Sequence, residues 1–168
     1  MKICIVGISG AGKTTLAKKL SIEFNTPNYG YDDVYWDKSG GEYIKNHQHV
    51  IDSLVSNIKS QDAWIVEGAY DRRMVPFFES CSLIIRLKTP YWLCVIRIVK
   101  RFLWSKIVAT TPKETVANTF ELLDFAKQFD RQLDQFFASN PHFSPKIITI
   151  DDAKQCSTAI KRHLSELK

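Results

Sequence analysis

An α/β fold with a five-stranded parallel sheet, covered by helices on both faces, is what this sequence predicts, and three observations carry the prediction. Short apolar runs alternate with helical periodicities along the chain, the pattern of a three-layer architecture. The first of these runs passes directly into a glycine-rich turn and then a helix. At 168 residues, with 45% hydrophobic and 24% charged residues, the chain suits one domain with a single core and excludes disordered, collagenous and coiled-coil readings.

Lys2 to Val6 is a β-branched apolar run closed by Gly7, which reads as a buried strand. From Lys13 to Phe24, the residues Leu16, Ala17, Leu20 and Phe24 recur at three and four, the spacing of a helix packed on that strand, and Pro27 stops it. Asn28 to Tyr31 is a weaker second strand leading to Asp32 and Asp33. After the Gly40-Gly41 turn, Val50, Ile51, Leu54, Val55 and Ile58 trace one helical face. Ala63 to Val66 is the third strand, ending on Glu67 and Gly68. A short helical stretch near Arg72 to Phe78 precedes the fourth strand, Ser82 to Leu87. Thr89 and Pro90 have the form of an N-cap and a first-turn proline, opening a helix to about Leu103.

Trp104 to Thr110 reads as a linker, and Thr111 with Glu114 has the spacing of a capping box. The helix it opens runs through Val116, Phe120, Leu123, Phe129, Leu133 and Phe136 to about Ala138. Lys146 to Ile150 is the fifth strand and Ala153 to Leu167 a closing helix. No repeat or low-complexity tract interrupts the series, so residues 1–168 are expected to form a single domain.

No uncharged run approaches a membrane span, and the opening residues are too short for a signal peptide, so a soluble, cytoplasmic protein with no membrane partner is expected. Cysteines 4, 81, 94 and 156 form no C-x-x-C pair and read as reduced, mostly buried hydrophobes. His47 and His49, two apart, would point different ways on a helix, and no metal is assigned to them. The net charge is +5. Its distribution matters more, because no acid lies between Glu79 and Glu114 while Arg86, Lys88, Arg97, Lys100, Arg101, Lys106 and Lys113 all do. A stretch of this kind suits phosphates on a small molecule or on nucleic acid.

The sharpest motif is G-x-x-x-x-G-K-[ST], here Gly7, Ile8, Ser9, Gly10, Ala11, Gly12, Lys13 and Thr14, set between a strand and a helix. Its glycines allow positive φ, and the backbone N–H groups then turn inward to form an anion nest at a helix N-terminus. Lys13 is expected to reach the β- and γ-phosphates of a nucleotide and Thr14 to ligate Mg²⁺. Thr15 either donates a hydrogen bond to a nearby phosphate or is a plain helix-start hydroxyl.

Ligands of open α/β sheets bind beyond the carboxyl ends of the strands, where Asp32, Asp33 and Glu67 all fall. Glu67 is a candidate for holding Mg²⁺, and Asp32 or Asp33 for orienting or deprotonating an acceptor hydroxyl; turn chemistry is the competing role for both aspartates. Phosphoryl transfer concentrates negative charge, so arginines are sought next. Arg97 and Arg101 share a helix face, and Arg131 on the returning helix could converge with them. Arg72 and Arg73, after the third strand, are candidate substrate holders, and for each of these five arginines a solvated basic surface is the alternative. Tyr35, Trp36 and Tyr70, in strand-end loops with Tyr31, either line a substrate pocket or pack in the core or at the rim.

Taken together, these segments resemble the P-loop kinases of the adenylate kinase and shikimate kinase type, and more closely the topology modulation protein group. The residues that carry the likeness are the phosphate loop, Asp32 to Trp36, Trp64 to Tyr70, and Pro90 to Cys94 with Arg97, Lys100 and Arg101. The resemblance implies a P-loop NTPase fold with a substrate-binding insertion at about 32–60 and a small helical lid at about 102–130. By position, Asp32 matches the family's acid after the second strand, Glu67-Gly68 its usual Asp-Gly, and Arg97, Arg101 and Arg131 its lid arginines. Glu67 in place of Asp, Lys88 where relatives often carry an acid, and Tyr91 where they often carry Arg are departures.

The implied activity is ATP-dependent phosphotransfer, with ATP and Mg²⁺ as cofactors, to a nucleoside, a nucleoside monophosphate or a small hydroxylated metabolite. An ATP-binding regulatory or DNA-associated protein with slow hydrolysis is the alternative, although no usual DNA-binding motif occurs. A signalling GTPase is disfavoured, since the base-reading N-K-x-D is absent.

Overall fold

Five parallel strands run in the order β2-β5-β1-β6-β7 in a computed structural model that describes residues 1–40, 43–70, 72–107, 116–151 and Ile160. They are β1 (Lys2–Gly7), β2 (Asn28–Gly30), β5 (Trp64–Gly68), β6 (Leu83–Leu87) and β7 (Ile147–Ile150). β1 lies at the centre, with Cys4 opposite Val66 on one side and Ile84 on the other. A strand buried on both faces needs no alternation, and β1 accordingly reads Ile3, Cys4, Ile5 and Val6, all fully buried. The chain leaves β1 toward β2 and leaves β6 toward β7. The sheet therefore has its switch point between β1 and β6, where ligands of such folds bind.

The helices are α1 (Lys13–Phe24), α2 (Tyr31–Tyr35), α3 (Gln48–Ser60), α4 (Val75–Ser80), α5 (Tyr91–Ile107) and α6 (Val116–Ser139). Trp64 at the start of β5 and the phenylalanines Phe77, Phe78, Phe129 and Phe143 are fully buried. Trp64 meets Phe77 edge-on at 5.4 Å, and Phe78 meets Phe143 at 5.8 Å. Among the described residues no helix is long and apolar enough to cross a membrane. Cys4, Cys81 and Cys94 are free and buried.

Several expectations are corrected. The second strand stops at Gly30, and Tyr31 begins a short helix instead. That helix buries Tyr31 and Tyr35 at i and i+4 and places Asp32 and Asp33 in its first turn, where their charge complements the helix dipole. It is followed by a small antiparallel pair, β3 (Trp36–Asp37) with β4 (Ile44–Lys45). The stretch read as a linker from Trp104 is helical to Ile107, in keeping with the lack of any Gly or Pro between Pro90 and Pro112. His47 sits just before α3, and its ring lies face to face with that of His49 at 5.7 Å, so the two do not diverge. The capping box at 111–114 and the closing helix at 153–167 lie outside the described residues, except that Ile160 is helical and fully buried.

Arg86 is also corrected. It belongs to β6, is buried, and pairs with Asp134 and, at 3.6 Å, Asp130, one turn apart on α6. It ties helix to sheet and is not part of an open basic surface. The Arg86 guanidinium holds the Asp134 carboxyl below its usual range. A depressed folded pKa gives stability that is present above the unfolded value of about 3.9 and is lost as pH falls through the folded one. Urea midpoints measured at about pH 5 and about pH 3 are expected to fall less in Asp134→Asn than in the wild type. Asp134 is half-exposed, so the difference should stay under about 1 kcal/mol.

Candidate functional site

The glycine-rich turn sits at the switch point and is packed from behind by α5. Gly10 has φ +81°, and a Cβ there would lie 2.7 Å from the carbonyl oxygen of Cys94. Gly12, at φ +99°, is the N-cap of α1 and supplies no capping side chain. The first N–H groups of a helix have no intrahelical acceptor, so the start of α1 presents donors and a positive dipole end to an anion. Three hydrogen bonds hold the loop's carbonyls. Thr89 Oγ1 donates to Ala11 O at 3.1 Å, and Arg97 donates to Gly10 O at 3.1 Å and to Ala11 O at 3.3 Å.

Lys13 is buried, with Nζ donating to Ile8 O at 3.0 Å across the loop. Burial lowers its pKa, and the charges of Glu67 and Asp32 oppose that shift while Arg101 adds to it. Asp32, Glu67 and Arg101 therefore all bear on one ammonium group. Thr14, on the next position of α1, donates its hydroxyl to Glu67 Oε1 at 2.6 Å. The two side chains expected to hold a metal are thus in contact, one from the start of α1 and the other from β5. Among the described residues no three His, Cys, Asp or Glu side chains gather as a metal cage. Ser9 is half-buried in the loop and Thr15 is exposed.

Asp32 and Asp33 part company. Asp32 Oδ1 accepts from the Tyr70 hydroxyl at 2.8 Å, and the Tyr70 oxygen accepts from Trp36 Nε1 at 3.3 Å. Asp33 forms an exposed ion pair with Lys38 at 2.6 Å. The predicted substrate residues Tyr35, Arg72 and Arg73 come together in a cavity of about 270 Å³, joined by Tyr31, Lys45 and Asp52. The Arg73 guanidinium lies over the Tyr35 ring at 4.2 Å and Lys45 Nζ at 5.4 Å. Trp36 and Tyr70 stand beside this cavity and are not in its wall.

The arginines divide as well. Arg97 is placed on the loop carbonyls and Arg101 near Lys13. Arg131 is exposed and borders a second cavity of about 320 Å³ with Asp124, Lys127 and Gln132, all on α6.

The sequence reading missed Lys38 and Lys45, isolated lysines with no pattern around them. It found Thr89 but gave it the wrong partner. The N–H groups of Leu93 and Cys94 bond to Pro90 O, and the Thr89 hydroxyl is spent on the loop.

Comparisons with known proteins bear on this arrangement. A family model, NB-ARC domain, matches residues 2–124. Among solved structures, shikimate kinase from Aquifex aeolicus aligns with a TM-score of 0.58 at 14% identity, over 99% of this chain and 97% of that one. Shikimate kinase from Bacteroides thetaiotaomicron gives 0.55 at 18% identity, over 99% and 97%. The Acinetobacter baumannii enzyme, solved in complex with shikimate, gives 0.56 at 16% identity, over 99% and 94%. At these identities the likeness is one of fold, and with the sheet order it establishes the P-loop NTPase α/β fold. No curated protein matches the chain by sequence.

Proposed function

The chain belongs to the NB-ARC domain family, and from that premise we propose that it is an ATP-dependent phosphotransferase acting on a small hydroxylated acceptor. The observation that carries the reading is the contact of Thr14 with Glu67 at 2.6 Å beside a buried Lys13. A hydroxyl and a carboxylate are hard oxygen donors of the kind Mg²⁺ takes, and Gly10 and Gly12 hold the loop at positive φ, the conformation in which successive N–H groups can form an anion nest. The residues present therefore fit Mg-ATP. Bound Mg²⁺ would neutralise charge developing on the transferred phosphoryl group.

This chain's own residues then have separable tasks. The amides at the start of α1 and Lys13 hold the donor phosphates, and Thr14 with Glu67 holds the metal. Asp32 orients the acceptor hydroxyl and takes its proton as the new O–P bond forms and the bond from the γ-phosphorus to the bridging oxygen breaks, leaving ADP. Arg101 adds positive charge beside Lys13. Most of the acceleration comes from positioning and charge neutralisation. Lys45, Arg72 and Arg73 around the cavity favour an acceptor that carries an anionic group, such as a nucleoside monophosphate or a hydroxy acid.

ADP release with Mg-ATP, with and without a panel of nucleosides, nucleoside monophosphates and hydroxy acids, tests this. Stimulation of about tenfold or more by one acceptor class, lost in Glu67→Ala, is the expected result. Tight ATP binding with no stimulation by any acceptor would move the weight to a regulatory, DNA-associated protein. The exposed Lys88 and Lys100 favour that second reading.

A further inference from the structure

The proposed proton acceptor, Asp32, is held by a chain of hydrogen bonds that starts in the small β3–β4 pair. Trp36 opens that pair, opposite Lys45, and its indole N–H donates to the Tyr70 oxygen at 3.3 Å. With that lone pair engaged, the Tyr70 hydroxyl hydrogen is directed at Asp32 Oδ1, 2.8 Å away. The Tyr70 ring cannot swing freely, because it packs on Tyr31 at 5.1 Å and Tyr35 at 5.8 Å, with the Arg73 guanidinium 5.4 Å from its centroid. Trp36 is held in turn, edge-on to Tyr35 at 4.8 Å.

We propose that Tyr70 and Trp36 are positioning residues for Asp32, fixing one carboxylate oxygen so that the other, Oδ2, is presented to the acceptor. The inference rests on the reading of Asp32 as the group that handles the acceptor's hydroxyl, and it assigns two aromatic side chains expected to line a substrate pocket to a different task. A carboxylate on a two-bond side chain at the start of a five-residue helix has rotamers to spare. A hydrogen bond from a phenol that is itself pinned selects one of them, and hydrogen-bonded supports of this kind are what keep a reacting group at productive geometry.

Tyr70→Phe removes one hydroxyl and keeps the ring packing. The expected result is a fall in acceptor-dependent kcat of about tenfold, the size carried by a hydrogen bond to a charged group, with KM for ATP unchanged. Trp36→Phe, which removes only the donor to Tyr70, should give a smaller fall in the same parameter. In Asp32→Asn the added Tyr70→Phe should change kcat by less than about twofold, because residues acting through one another are not additive. A purely structural role would give multiplied losses in that double variant and would overturn the inference.

The outcomes separate the inference from the reading it rests on. An unchanged acceptor-dependent kcat in Tyr70→Phe would overturn the inference and leave the kinase reading standing. Full acceptor-dependent activity in Asp32→Asn would instead overturn the role given to Asp32, and the inference with it.

Discussion

Lys13→Met is expected to lower acceptor-dependent ADP release by about a hundredfold to a thousandfold, the loss seen when one preorganised charge stabiliser is removed, while the protein stays folded. The two halves of that expectation have different causes. Lys13 is a buried ammonium, and burial already works against its charge. Removing the charge relieves that penalty, whereas Ile8 O loses its partner; the two should cancel to within about 1 kcal/mol. Thermal unfolding with and without Mg-ATP separates fold from site. At a ligand concentration of about a hundred times Kd the wild type should gain about 2.7 kcal/mol, and the variant should gain almost nothing. An ATP-linked shift that survives the substitution would remove the phosphate loop from the account.

Gly10→Ala should damage both stability and nucleotide affinity. Its backbone lies at φ +81°, where an L side chain costs about 1–2 kcal/mol. The added Cβ would also meet the Cys94 carbonyl at 2.7 Å, and because that atom is helix backbone it cannot rotate away. Overpacking of this sort costs about 1–3 kcal/mol more. A combined loss near 3 kcal/mol should appear as a fall of tens of per cent in the urea midpoint, and ATP binding should weaken by about tenfold or more as the loop shifts off α5. Gly40 has no atom within 4 Å of such a Cβ, so Gly40→Ala serves as the control and should be silent in both measurements.

How far the molecule could be read from its sequence depended on the range of the interactions involved. Helix α1 was legible to the residue, because Leu16, Ala17 and Leu20 are both periodic and buried, and a phosphate loop announces itself by spacing alone. The contact between Thr14 and Glu67 was implied by their separate positions at a helix start and a strand end. Arg86 was not legible. A charged residue within an acid-free stretch looks like open basic surface, and only the sheet register and the return of α6 reveal Asp130 and Asp134 above it. The partners of Thr89 and Arg97 were not legible for a similar reason, since they are backbone carbonyls nearly eighty or more residues away, and a carbonyl leaves no mark in the sequence. Helix α2 could have been found from Tyr31 and Tyr35 at i and i+4, but five residues, two of them aspartates, are too few to outweigh the strand that precedes them.

The two donors on the Ala11 carbonyl have a consequence for the cost of binding. A peptide group is planar, so fixing that carbonyl outward fixes the Gly12 N–H in the opposite direction. Thr89 and Arg97 thus aim an amide dipole from outside the loop. Ordering a residue's backbone costs about 1–2 kcal/mol, and here folding has already met that cost, leaving an arriving phosphate no segment to freeze. The linkage also runs in reverse. An anion that polarises the Gly12 N–H makes the same peptide's oxygen a stronger acceptor, which draws Arg97, and with it α5, more firmly onto the loop whenever the loop is filled.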